Sequence, residues 1–248
     1  MSRATNYLLI DISNSFTKLA FASQTRLGRS TRIETDKFTS AFIRRFWKRR
    51  KIDMLAVASV VPRKNREVRK VMGPSKVLWL NPRLKLGVGI DYPAPKTIGA
   101  DRLANAAAVA ALYGCPAIVV DFGTAVTFDI ISERKNYIGG VIAPGLEAMT
   151  NFLYQRTALL PKLSLKEPRG AIGRSTTEAM RAGAIFGYRG LVREIIFCIK
   201  AERFPRRKVH IVLTGGYAQL IAAKLGETVT VHPNLTLEGL RLVANLNS

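Results

Sequence analysis

Cysteine, histidine and tryptophan are scarce in this 248-residue chain, with two of each, and 17 acidic residues face 39 Lys and Arg for a formal net charge of +22. Cys115 and Cys198 are too few for a disulfide framework, and neither has a histidine or second cysteine at metal-ligand spacing. Both are therefore expected in core packing, and no structural zinc site is expected. His210 and His232 stand apart from any ligand cluster and are expected to be structural. No apolar run approaches the roughly 18 residues that a membrane-spanning helix requires. The opening MSRATNYLLIDIS has one Arg and a short apolar run that ends at Asp11, too short for the hydrophobic stretch of a secretory signal. A cytoplasmic protein with no membrane partner is the expectation.

What the chain has in quantity is apolar residues, 48% of the total, enough for one large domain or two lobes of about 120 residues each. The positive charge is uneven. The first 120 residues hold 22 basic and 7 acidic residues, the remainder 17 and 10. The densest patches are Arg44 to Lys51 and Arg63 to Lys70. A balance this basic raises the question of nucleic acid. However, Phe38, Phe42 and Phe46 recur at i+4 with Ile43 and Trp47 beside them, which predicts a helix over 37–50 with an apolar stripe and a solvated basic face.

Residues 7–12 and 17–22 read as strands around the polar turn Ser13-Asn14-Ser15, a β-hairpin with Asp11 at its mouth. The run 53–61, closed by Pro62, and the run 77–80 read as strands, and their alternation with helix predicts an α/β layer. Residues 81–100 carry Pro82, Pro93 and Pro95 with Gly87, Gly89 and Gly99, and are expected to be loop. The Ala-rich segment 100–113 predicts a helix stopped by Gly114. Strands at 117–122 and 126–132 flank the turn Gly123-Thr124, and 137–144 extends that sheet. Helices at 145–157 and 176–199, a strand at 209–213 and a Thr214-Gly215-Gly216 turn into a helix from Tyr217 complete the reading.

The pattern of strand, Asp, short turn with a hydroxyl, strand occurs twice, at Asp11 and at Asp121, so the chain reads as two similar halves. Free amides and hydroxyls in such a turn form a concavity for phosphate, while the carboxylate can hold a cation against it. The glycines of the 214–216 turn allow close approach of backbone to a nucleotide. Asp101 opens the helix after the loop in Gly99-Ala100-Asp101-Arg102. Such a carboxylate either complements the helix dipole or, facing a phosphate site, accepts a hydroxyl proton.

DISNSFTK (11–18), ASVVP (58–62), Tyr92 with IGADR (98–102), DFGTAVTFD (121–129), GGVIAPGLEAM (139–149), TALLP (157–161), IGRSTTEAM (172–180), TGG (214–216) and NLTLEGL (234–240) occur in this order. Together these blocks resemble the type III pantothenate kinases over about residues 7–246. The resemblance implies an α/β fold of two ribonuclease-H-like lobes of the actin-like ATPase superfamily, with an interlobe cleft, divided as 1–116 and 117–248. It implies ATP-dependent phosphorylation of pantothenate to 4'-phosphopantothenate, the first step of coenzyme A biosynthesis, by a homodimer using ATP, Mg²⁺ and a monovalent cation, K⁺ or NH₄⁺.

Carried over by position, Asp11, Ile12, Ser13, Asn14, Ser15, Phe16, Thr17 and Lys18 match the first phosphate turn, and Thr124 matches the second phosphate contact. Asp121 matches the monovalent cation position and Asp101 the proton acceptor. Tyr92, Gly99, Ala100, Asp101, Arg102 and Thr176 match substrate-binding positions, with Thr176 expected to reach across the dimer interface. The family usually reads Asp-x-Gly-Asn-Thr or Ser, and Ser13 replaces that glycine, placing a side chain where backbone is expected to approach the γ-phosphate. Two alternatives stand beside this reading: a nucleic-acid-binding or regulatory protein on the same fold, and a kinase of another small hydroxy acid. With the aromatics of 37–50 on an apolar stripe and no recognition motif in the chain, nucleic acid is not expected as a partner.

Overall fold

A computed structural model describes residues 6–48, 50–72 and 77–248. Residues 1–5 at the chain start and Arg49 of the basic patch therefore lie outside the described residues.

The apolar runs become strands where alternation demands it. β1 (Asn6–Ile12) and β2 (Phe16–Ser23) form the expected hairpin, with Asp11 opposite Lys18 and Ile12 opposite Thr17. β3 (Thr31–Glu34) pairs antiparallel with β2. After a 3₁₀ turn at Thr35–Lys37, α1 (Ser40–Trp47) begins at Thr39, whose side chain accepts a hydrogen bond from the Phe42 N–H. The helix expected over 37–50 is thus shorter at both ends. Phe38 precedes it yet is fully buried, and Lys48 ends it in the left-handed conformation.

β4 (Met54–Ser59) lies parallel to β1, and Pro62 starts rather than blocks the next helix, α2 (Pro62–Arg69). Proline suits the first helical position because no intrahelical partner awaits its nitrogen. β5 (Val77–Trp79) completes a five-stranded sheet in the order β3-β2-β1-β4-β5. Leu8, Ile10 and Ile12 point to one face, where they pack with Phe38, Ile43 and Val68. By the period of two, Asp11 projects to the opposite face with Tyr7 and Leu9.

The 81–100 segment is not wholly loop. It contains a two-residue strand, β6 (Gly89–Ile90), paired with Asn136 and Tyr137, and a 3₁₀ turn at Pro95–Thr97. α3 (Ala100–Leu112) follows, buried on nearly every side from Leu103 to Ala110, as expected of a helix apolar all round. Gly114 at φ +90° ends it.

β7 (Ala117–Phe122), β8 (Ala125–Ile131) and β9 (Asn136–Pro144) come next, then α4 (Leu146–Arg156), α5 (Thr176–Arg203), β10 (His210–Gly215), α6 (Ala218–Ala222), β11 (Thr230–Val231) and α7 (Leu235–Leu246). The second sheet has six strands in the order β6-β9-β8-β7-β10-β11, with the two-residue β6 at its β9 edge. With the added edge strand β6 set aside, the strand order counted within each half is the same, 3-2-1-4-5, so the repeat read from the two Asp turns is a repeat of topology.

The chain divides into two compact units. The first comprises 1–115, 131–139 and 234–248, and the second comprises 116–130 and 140–233. This grouping differs from a simple cut at 116/117 because α7 packs on α3 and β1 of the first unit. Gly239 permits that packing, since a Cβ there would overlap the Ala104 carbonyl. Thr236 Oγ1 also donates to Asn105 Oδ1 at 2.9 Å.

One cysteine expectation fails: Cys198 is exposed on α5, with its Sγ 3.5 Å from Glu194 Oε1, while Cys115 is only half-buried. The 3.6-residue period of a long helix turns position 198 outward, beside the exposed Phe197.

In the second unit, buried Arg189 binds both oxygens of Glu167 (2.7 and 3.1 Å) and donates to the Leu220 and Ile221 carbonyls. Those hydrogen bonds outweigh desolvation and, with Lys224 adding to them, lower the Glu167 pKa to about 2. A depressed carboxylate stabilises the fold fully above its unfolded pKa and loses that contribution as pH falls through its folded pKa. The melting-temperature advantage of wild type over Glu167→Gln is therefore expected to be constant from pH 7 to about 4.5 and to vanish by about pH 2. Parallel thermal melts across that range check it, and an unchanged difference at pH 2 contradicts it.

Candidate active site

The first unit assembles two groups of the expected residues. In the β1–β2 turn, Asp11 is buried at 5% exposure, and the Ser13 N–H donates to the Phe16 carbonyl at 3.2 Å. The turn is tied to the following segment. Thr35 Oγ1 donates to the Ser13 carbonyl (2.6 Å), the Thr35 N–H donates to the Ser15 carbonyl (3.0 Å), and the Thr17 and Thr35 hydroxyls share a hydrogen bond. Asn14 and Ser15 remain exposed at the tip, Lys18 is half-buried, and the Arg32 guanidinium lies 3.4 Å above the Phe16 ring. Thr35 is a positioning residue that the sequence reading did not find, because its partner is 22 residues away.

Ser13 is not at positive φ, so the turn does not need glycine for its backbone. Its Oγ donates to Asp11 Oδ1 at 3.3 Å. The hydroxyl thus serves the carboxylate that opens the turn. If this turn holds ATP as the resemblance implies, Ser13→Gly is expected to raise the KM for ATP by up to about fivefold, the worth of one net hydrogen bond of about 1 kcal/mol. Steady-state kinetics decide it, and a lower KM in the glycine variant would show that the side chain obstructs the nucleotide.

The second group surrounds the start of α3. Gly99 caps the helix, and the Asp101 Oδ1 accepts from the Arg102 N–H at 2.8 Å. A Cβ on Gly99 would come within 2.5 Å of that same carboxylate oxygen, so the glycine leaves the Asp101 side chain in its present place. Arg102 lies 5.7 Å from the centre of the Tyr137 ring, and Tyr92 meets the same ring edge-on at 6.0 Å. Tyr137, 1% exposed, is therefore the floor under two expected substrate residues. The β6–β9 pairing sets this up: the Asp91 N–H donates to the Tyr137 carbonyl at 2.9 Å, fixing Tyr92 next to it.

In the second unit two segments converge on the β7–β8 turn. Thr124 is exposed at its tip, and its carbonyl accepts from the Gly145 N–H at 3.2 Å. A Cβ on Gly145 would overlap the carbonyls of Gly123 and Thr124, so the glycine of the APGLEAM block lets α4 begin against the β7–β8 turn. On the other side Gly215, at φ +91°, abuts Asp121 Oδ1, and the Gly216 N–H donates to the Phe122 carbonyl at 3.0 Å. Thr214 is in register with Asp121 on the neighbouring parallel strand, and its Oγ1 is buried without a hydrogen-bond partner.

Thr176, also in the second unit, is exposed at the first position of α5. That helix start is capped by Ser175, whose Oγ accepts from the Glu178 N–H, while the Glu178 carboxylate reaches back to accept from the Arg174 N–H just before the cap.

Two units of one repeated sheet topology, each carrying an acidic turn, define a protein of the two-lobed actin-like ATPase fold. The (R)-2-hydroxyglutaryl-CoA dehydratase component A of Acidaminococcus fermentans shares that fold, with a TM-score of 0.55 at 13% identity over 97% of this chain and 96% of the other. The sequence profile of the type III pantothenate kinases matches residues 7–197. The type III pantothenate kinase of Akkermansia muciniphila is 47% identical over 97% of this chain and 99% of its own length. That of Methylacidiphilum infernorum is 41% identical over 96% of this chain and 88% of its own. The chain belongs to the type III pantothenate kinase family.

Proposed function

We propose that this protein transfers the γ-phosphoryl group of ATP to the primary hydroxyl of pantothenate, giving 4'-phosphopantothenate for coenzyme A synthesis. The observation that carries the reading is the start of α3. A glycine there makes room for the Asp101 carboxylate, and Arg102 and Tyr92 share one aromatic floor beside it. Arg102 is suited to the pantothenate carboxylate, which it can meet with two parallel N–H donors. Asp101 takes the hydroxyl proton as the oxygen–phosphorus bond forms and the bond to ADP breaks. Positioning and electrostatics supply most of the rate in such transfers.

The Asp11–Lys18 turn and Thr124 serve the phosphates in this reading. Asp11, buried and held by Ser13, suits a Mg²⁺-bound water, and the ion would neutralise phosphate charge. Among the described residues no group of three or more His, Cys, Asp or Glu side chains forms a metal cluster. A monovalent cation would therefore draw on hydroxyl and carbonyl oxygens as well as Asp121, and the orphaned Thr214 Oγ1 in register with Asp121 fits that need. The exposed Ile142, Met149 and Phe152 in the second unit support a homodimer with Thr176 near its seam. Among the described residues no helix is long and apolar enough to cross a membrane.

An ATP-consumption assay over a panel of small hydroxy acids, with and without K⁺ or NH₄⁺, tests the reading. Turnover confined to pantothenate and stimulated by the cation is the expected result. Faster turnover of another hydroxy acid reassigns the substrate, and no turnover with any acid overturns the kinase assignment.

A further inference from the structure

The described basic residues from Arg44 to Lys51 are exposed, as expected of a solvated helix face, and the aromatic stripe packs against the core of the first unit, but the edge of that stripe stays open. Phe21 of β2 and Phe46 of α1 stack at 5.2 Å with planes 7° apart, and Phe42 continues the row at 6.3 Å from Phe46. All three rings are only partly buried. They floor an open pocket of about 590 Å³ whose rim carries Arg29, Arg45, Lys48 and Arg50. A second pocket of about 470 Å³ adjoins it, sharing Phe21, Gly28 and Arg50, and adds Arg26 and Lys51. No lining residue of either pocket is acidic, and none belongs to the candidate active site. The carboxylate nearest in sequence to Lys51, that of Asp53, is engaged by the Asn6 N–H at 2.8 Å.

We propose that this groove binds single-stranded nucleic acid. Six cations without a carboxylate among them call for a polyanion. The phenylalanine floor calls for one that also carries flat apolar faces, and two linked pockets in a row suit a linear chain better than a compact ligand. A single strand has all three properties, with bases to lay on rings and guanidinium planes and phosphates for the rim. Arg50 and Arg45 already lie over the Phe21 and Phe42 rings, at 4.5 and 5.7 Å, and present planar cations for stacking. A duplex buries its base faces and an acidic peptide has none, so neither makes use of the floor.

Fluorescence anisotropy with a labelled 15-residue oligo-dT, an equal-length duplex and polyglutamate of matched charge tests this. The single strand is expected to bind at least tenfold more tightly than either competitor at 50 mM salt. If four phosphates are neutralised, affinity is expected to fall about 50-fold between 50 and 200 mM salt. The exposed triple variant Arg29→Gln, Arg45→Gln, Lys48→Gln should lose at least tenfold in affinity and flatten the salt slope by about 2, with kinase turnover unchanged as proof of folding. Equal binding of all three probes reduces the groove to non-selective charge and overturns the proposal, as does tighter binding of polyglutamate or wild-type affinity in the triple variant. If that variant loses its fold, Lys48→Gln alone is measured, and an unaltered salt slope there counts against the proposal.

Discussion

Asp101→Asn is expected to lower kcat for pantothenate phosphorylation by about 10² to 10⁴ while leaving the melting temperature and ATP affinity nearly unchanged, the usual range for losing a positioned base. The amide is almost isosteric with the carboxylate, and its oxygen can still accept the Arg102 N–H that the carboxylate now takes at 2.8 Å. The start of α3 therefore keeps its geometry. What the amide cannot do is take up the hydroxyl proton. Single-turnover measurements at saturating ATP separate this from a binding defect, and turnover within threefold of wild type in a folded Asp101→Asn protein would reduce Asp101 to a carboxylate that complements the helix dipole.

The second large effect is structural and reaches the same helix. Gly239→Ala is expected to destabilise the first unit by about 3 kcal/mol, the upper end of the usual cost of overpacking a well-packed core. The added methyl would meet main chain, the Ala104 carbonyl, which cannot rotate away as a side chain can. α7 must then shift off α3, which strains the Thr236–Asn105 hydrogen bond and exposes apolar side chains such as Leu240 and Val243. For a chain of this size the midpoint should fall by about 6–12 °C. Because Asp101 sits at the N-terminus of α3, kcat should also fall measurably below the melting transition. A midpoint within 2 °C of wild type would show that α7 and α3 adjust at little cost.

Local pattern was enough where neighbours in sequence determine conformation. The β1–β2 hairpin, the Ala-rich helix α3 with its glycine stop and the strand pair around Gly123-Thr124 follow from alternation, helix propensity and turn residues. The 81–100 segment shows where local rules run out. Its prolines and glycines do favour loop, but β6 forms because Asn136 and Tyr137 offer an unpaired strand edge. Cys198 shows the same limit from the other side, since an apolar period on a long helix does not say how much of that helix is covered.

For the candidate site, the residues that would touch ATP or pantothenate announce themselves by chemical type and spacing: Asp11, Asp101, Asp121, Thr124 and the glycines between strand and helix. The residues that hold them in place do not. Thr35 fastens the first turn, Tyr137 lies beneath Tyr92 and Arg102, and Gly145 admits α4 to the second turn. Each acts through a partner 20 or more residues away, at a distance set by chain folding.

The sequence by itself determined the repeated strand–Asp–turn–strand unit, the family and the residue types at each reactive position, because hydrogen-bond period, turn chemistry and charge are properties of short segments. Tertiary structure alone decided that α7 returns to pack on the helix bearing Asp101, that Ser13 supports Asp11, and that the basic residues of α1 border an aromatic groove. These depend on close approach between segments remote in the chain, and such approach is selected by shape and burial summed over the whole fold.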